Sequence, residues 1–196
     1  QVQMDFQTML EKNKNIQRSL IEYVDGGNEH SYTQLNELIK NLIEEDPIEL
    51  KSILQLINAL YNNHHRSPEF FDRIEKIILH YKTNFQQFLS DKDYFNFSKF
   101  NNKLILFLHQ EKIISVSDYN ITSFPSEFYF YPEIQSDSRY DLHYIKEKYE
   151  EFDPETFEKN RKIGENHSQI CSLIRNDSIA EFISYVNQTN LQLTSK

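Results

Sequence analysis

Asp46-Pro47-Ile48-Glu49-Leu50-Lys51-Ser52-Ile53-Leu54-Gln55-Leu56-Ile57-Asn58-Ala59-Leu60 is the stretch that decides the fold class of this 196-residue chain. Asp46 carries the short carboxylate that accepts backbone N–H groups at a helix start. Pro47, at the first helical position, lacks an N–H that a helix would leave unpaired there. Leu50, Ile53, Leu54, Ile57 and Leu60 then recur at three- and four-residue intervals, which puts them on one face of an α-helix.

The same spacing extends in both directions. Upstream, Leu35, Leu38, Ile39 and Leu42 form an amphipathic stripe. Before them Met9, Leu10, Leu20, Ile21 and Val24 share one side of a helix that breaks at Asp25-Gly26-Gly27. Downstream, Asn62-Asn63-His64-His65-Arg66 is a polar connector. Ser67-Pro68-Glu69 opens a further helix with a wide apolar face of Phe70, Phe71, Ile74, Ile77, Ile78 and Tyr81. Phe85, Phe88 and Leu89 precede a break at Ser90-Asp91-Lys92-Asp93, followed by Tyr94, Phe95, Phe97 and Phe100. Lys103 to Lys112 is apolar on all sides at its centre, as in a buried helix. Ile113-Ile114-Ser115-Val116 has the β-branched composition of a strand, yet a lone strand makes no sheet. Residues 115–138 predict short helical turns held by buried aromatic rings; Tyr140–Phe152 returns to helix, and Asp153-Pro154-Glu155 starts another that stops at Gly164. Finally Ile170, Leu173 and Ile174 mark a short helix, and Asn176-Asp177 turns the chain. Ser178-Ile179-Ala180-Glu181 is a capping box, with Ile179, Phe182, Ile183 and Val186 on the side to be buried.

The fold class is therefore all-α: nine to eleven helices, mostly antiparallel neighbours, in a bundle or solenoid-like array. A boundary is expected near Gly164, with a helical body over 1–164 and a repeat-like helix pair over 165–196. Two ~10-residue helices cannot cover both faces, so the pair calls for a stacked neighbour. Gln1 in place of Met, and an end at Lys196 without a terminal signal, suggest part of a longer protein.

Composition removes several function classes. Hydrophobic residues make up 38% and aromatics 14%, with 15 Phe and 12 Tyr supplying core volume, while 3 Gly and 5 Pro argue against turn-dense β sandwiches. The net charge of −9, without a basic run, speaks against nucleic acid or an anionic membrane as a partner. Residues 127–160 hold ten acids against four bases, read as a solvated helical face or as a surface for a basic partner. No apolar run approaches the ~18 residues of a membrane span. Cys171 is the only cysteine, which fits a reducing compartment and a cytoplasmic protein.

Chemistry-bearing patterns are scarce. The histidines form no metal-ligand spacing, and His64-His65, being adjacent, diverge on any regular element, so no metal site and no cofactor is expected. Cys171 has His167 four residues upstream but lies on an apolar stripe, where a buried thiol is ordinary. No phosphate-cradling glycine loop or nucleophile elbow exists, so no catalytic residue is assigned. His64, His65 and Arg66 remain as candidate docking residues: either packed against the preceding helix, or projecting outward as a patch that titrates between about pH 5 and 8.

Several stretches carry a resemblance when taken together: Asn63-His64-His65-Arg66-Ser67-Pro68 with Phe70 to Ile78; Leu104 to Leu108 with Glu111-Lys112-Ile113-Ile114; Tyr131-Pro132-Glu133-Ile134; Lys162 to Asn166; and Leu173 to Ser178 with Glu181 to Asn187. Their order and spacing resemble the N-terminal region of a large family of protozoan ankyrin-repeat proteins, over most of the chain. The resemblance implies a helical domain of unknown function ahead of ankyrin repeats, with residues 165–196 beginning the array. It also implies an interaction or scaffold role, binding other proteins, and no catalytic residue; His64, His65 and Arg66 match the pattern without a role attached. The under-stacked C-terminal pair adds the expectation of a homo-oligomer through that edge. The competing expectations are a structural component of a cytoskeletal assembly, and an enzyme or ligand-binding domain whose site no motif reveals.

Overall fold

The computed structural model describes residues 6–63, 68–89, 100–116, 124–140, 142–163, 173 and 177–189. Among them are eleven α-helices and no strand, so the protein is an all-α, multi-helix array. The chain divides into two compact units, Gln1–Thr122 and Ser123–Lys196. The expected boundary at Gly164 lies outside the described residues, as do Tyr94, Phe95, Phe97, His167, Ile170, Cys171 and Ile174.

In the first unit, α1 (Phe6–Val24) and α2 (Glu29–Glu45) form an antiparallel hairpin. Lys12 near the start of α1 pairs with Glu45 at the end of α2, while the Tyr23 and Tyr32 rings meet at 5.2 Å at the other end. The glycine pair is required by this turn. Gly26 has φ +140°, a conformation side chains resist, and a Cβ on Gly27 would lie 2.6 Å from the Tyr23 Cα. Asn28 caps α2, its side chain accepting from the N–H groups of His30 and Ser31. Across the hairpin, the Arg73 guanidinium donates to the Val24 carbonyl at 2.8 Å, satisfying an orphan acceptor at the end of α1.

Asp46 accepts from the Ile48 N–H at 2.9 Å, as the sequence predicts, but the first turn, Pro47–Glu49, is a 3-10 turn that runs into α3 (Leu50–Asn63). All five predicted core positions of α3 are buried, together with Tyr61. The helix expected from Pro68 is α4 (Pro68–His80), and α5 (Lys82–Leu89) follows it with Tyr81 at the junction. The Tyr81 hydroxyl donates to the Asn36 carbonyl on α2 at 2.8 Å, and burial pushes its pKa up to about 12. The helix α6 (Asn102–Gln110), apolar at its centre, buries Leu104, Ile105, Leu106 and Leu108.

Residues 113–116 are not extended. Lys112 takes φ +57°, the Ile113 N–H bonds to the Leu108 carbonyl and the Lys112 N–H to the His109 carbonyl. This is a Schellman cap with lysine where glycine is usual, and it folds Ile113, Ile114 and Val116 back into the core. β-Branched composition here reports burial in a helix cap rather than a strand.

In the second unit, α7 (Phe124–Tyr129) and α8 (Tyr131–Ile134) are short helices around the buried Phe130, Tyr131 and Ile134, and both pack on α9 (His143–Glu150). Asp153 caps α10 (Pro154–Ile163) through the Thr156 N–H at 2.8 Å. Asp177, at φ +52°, turns the chain into α11 (Ile179–Thr189), and the Phe182 N–H bonds to the Ser178 carbonyl.

Candidate functional site

His64, His65 and Arg66 lie outside the described residues, as does Ser67. The frame of this connector is described. α3 ends at Asn63 and α4 begins at Pro68, the expected first helical position. Beside that end of α3, Asn101 caps α6 by accepting from the Lys103 N–H. Its own N–H donates to Asn58 Oδ1 at 2.8 Å, and its side-chain amide donates to Asn62 Oδ1 at 3.1 Å.

On the same helices sits a half-buried acid–base group that sequence patterns did not reveal. The Tyr61 hydroxyl donates to Glu75 Oε1 at 3.3 Å, and its ring lies 4.8 Å from that of Phe71. The Lys103 ammonium stands 3.4 Å from the Phe71 ring centroid, within cation–π distance. Burial lifts the Glu75 carboxyl above the ordinary carboxylate range, and Lys103 and the Tyr61 hydrogen bond oppose that rise. Burial lowers the Lys103 ammonium, against the attraction of Glu75 and Asp72. Each group makes the other's ionised form tolerable. Tyr61 and Glu75 lie fourteen residues apart on different helices, beyond the reach of a local pattern.

The second unit holds a stronger ionic cluster. Arg161 is 3% exposed and binds Glu133 with both terminal nitrogens, at 2.6 and 2.7 Å, with Glu158 at 3.2 Å. The same guanidinium donates to the Tyr129 carbonyl at 2.8 Å, and the Tyr129 hydroxyl returns a 2.6 Å bond to the Arg161 carbonyl. Burial pushes the Tyr129 hydroxyl far up, while Glu133 and Glu158 hold Arg161 charged against its own desolvation. The cluster bolts α7 and α8 to α10.

This arrangement also accounts for much of the acidic stretch. Glu133 and Glu158 serve Arg161, Asp137 pairs with Arg139, Glu147 with His143, Glu150 with Lys146, and Asp153 is a helix cap. Arg161, the cation that binds two of these acids, lies one residue beyond the acidic stretch. The available signal was Arg161 four residues after Phe157, on the same helix face as a buried ring.

The remaining feature is α11, where the expected burial does not occur. Ile179 and Ile183 are 63% and 53% exposed, while Phe182 and Val186 are half-buried. The four lie on one face by spacing, and no residue described in α11 is buried. Its apolar ridge is open because no described element covers it.

Elsewhere, a cleft of about 140 Å³ between α1, α2 and α3, floored by Ile16, Leu42, Ile53 and Leu56, carries no titratable side chain. Among the described residues no group of three His, Cys, Asp or Glu is placed to hold a metal ion, and no helix is long and apolar enough to cross a membrane. No family model, curated protein or solved structure matches the chain.

Proposed function

We propose that this chain is a non-catalytic protein-interaction or scaffold module, and that it belongs to a cytoplasmic ankyrin-repeat protein in which it forms the helical N-terminal part. The observation that carries the interaction reading is the open ridge of α11. The stripes of α2, α3 and α4 carry the fully buried Leu35, Leu54, Ile57, Ile74 and Ile77, whereas α11 has no buried residue among those described and presents Ile179 and Ile183 to solvent. An amphipathic helix with an exposed apolar stripe gains free energy by laying that stripe against another protein surface. The two ionic groups support the same reading, because each is engaged in holding helices together rather than offered to a substrate.

The test is quantitative capture by the immobilised chain compared with its Ile183→Asp variant, with circular dichroism confirming equal helicity. Proteins lost at least fivefold from the variant support the reading. Equal capture by both, or saturable stabilisation of the chain by a small metabolite, refutes it.

A further inference from the structure

His109 holds both ends of the hook that follows α6. Its carbonyl accepts the Lys112 N–H at 2.9 Å, and its Nδ1 accepts the Val116 N–H at 3.3 Å. Between these points the Ile113 and Ile114 N–H groups bond to the Leu108 carbonyl at 2.8 and 3.3 Å. The bond at Nδ1 fixes the state of the ring. A backbone N–H can only donate, so Nδ1 must offer a lone pair, and the imidazole is neutral with its proton on Nε2. The imidazolium carries a proton on both nitrogens. In that form Nδ1–H faces the Val116 N–H, and neither finds an acceptor.

What the bond holds is apolar. Val116 is fully buried, and Ile113 and Ile114 are 6% and 8% exposed. Once the Nδ1 acceptor is gone, the Val116 N–H regains a partner only by letting water in, which opens the hook.

The charged groups at this end of the first unit are Glu111 and Lys112 on the hook side of the ring, Lys82 on α5 and Glu75 on α4. Lys82 pairs with Glu111 at 3.1 Å, and Glu75 feels the charge of Glu111. Gln86 of α5, uncharged, donates to the Lys112 carbonyl at 3.0 Å. The C-terminus of α6 carries partial negative charge and favours a proton on the ring, whereas the hook accepts only the neutral ring. Proton and hook therefore compete for His109.

We infer that His109 is a pH-sensitive latch, which when neutral closes the 113–116 hook onto the core and when protonated lets it open. Acidification through the imidazole range, centred on ~6.5, opens it while exposed carboxylates are still ionised.

Hydrogen exchange of the whole chain from pH 8 to 5, resolved by residue and corrected for intrinsic rates, tests it. Protection of the Val116 amide is expected to fall about fivefold, the worth of one ordinary hydrogen bond, while amides in the middle of α3 keep theirs. His109→Asn puts an oxygen acceptor where Nδ1 stands and does not titrate, so its Val116 protection stays near the pH 8 value throughout. His109→Phe has no acceptor and leaves Val116 weakly protected at every pH. Nitrogen chemical shifts of the parent imidazole at pH 8 read the tautomer directly, with Nδ1 expected to be unprotonated. The tautomer and the parent's pH profile decide even where a variant does not fold. A proton on Nδ1 at pH 8, Val116 protection constant within twofold from pH 8 to 5, or an equal fall in His109→Asn overturns the inference.

Discussion

Replacing Arg161 by Met tests the ionic bolt of the second unit most directly. The methionine keeps most of the arginine stem's volume, so packing on Phe157 and Tyr129 changes little, and the loss is electrostatic. Four donor contacts disappear: two to Glu133, one to Glu158 and one to the Tyr129 carbonyl. Glu158, with its side chain 38% exposed, turns to water and contributes at most ~1 kcal/mol. Glu133, 14% exposed, is left as a largely buried carboxylate without its cation, and such a break costs about 3–5 kcal/mol. That is a large share of the ~5–15 kcal/mol that holds a domain together. Denaturation in urea, followed by circular dichroism and by hydrogen exchange of peptides from 127–163, measures it. Adding Glu133→Leu to Arg161→Met should recover part of the loss, since the orphaned charge is then gone. A single-variant cost below ~1 kcal/mol, or a double variant as unstable as the sum of the singles, refutes the assignment of Arg161 as the bolt.

Gly27→Ala places a Cβ 2.6 Å from the Tyr23 Cα and 2.9 Å from its carbonyl oxygen, and backbone cannot give way as a side chain can; a loss of ~1–3 kcal/mol is expected by urea denaturation, and an unchanged midpoint contradicts the close approach. Lys112→Gly relieves the positive φ of the α6 cap and should stabilise by up to ~1 kcal/mol, with a loss arguing against the Schellman geometry. Lys103→Met leaves Glu75 half-buried without its cation. It should destabilise at pH 7 and less so below ~4.3, because a raised folded-state carboxyl pKa makes the acid form the tolerated one. Lys103→Met with Glu75→Gln should approach the parent, and equal instability of single and double variants across pH 4–8 counts against the pairing.

The helical fold was legible wherever one face of a helix supplies its share of a core. The stripe from Leu50 to Leu60 matched burial at every position. Reading failed where burial is decided by other parts of the chain. Tyr32 is buried and Leu38 only half-buried, although both suit the α2 stripe, since the Tyr32 ring packs against Tyr23. Ile113 to Val116 suggested a strand from composition, and the deciding residue was Lys112, whose positive φ has no lysine signature. Arg161 and Glu133 are 28 residues apart, so nothing periodic connects them. At α11 the period correctly marked an apolar face but not whether anything would cover it.

The tyrosine hydroxyls give this aromatic-rich interior a property that rings alone would not. Apolar ridges tolerate sliding, since a helix displaced by one turn, ~5.4 Å, presents a chemically similar stripe to its neighbour. A hydroxyl does not tolerate it. Tyr61 reaches Glu75 and Tyr129 reaches the Arg161 carbonyl from one helix to another, Tyr81 reaches the Asn36 carbonyl of α2 from the α4–α5 junction, and each bond fails long before a full turn of slip. These contacts act as detents. They add modest stability but give each helix pair one axial setting, so substituting Phe at all three positions should leave the protein helical while widening the range of settings its helices sample.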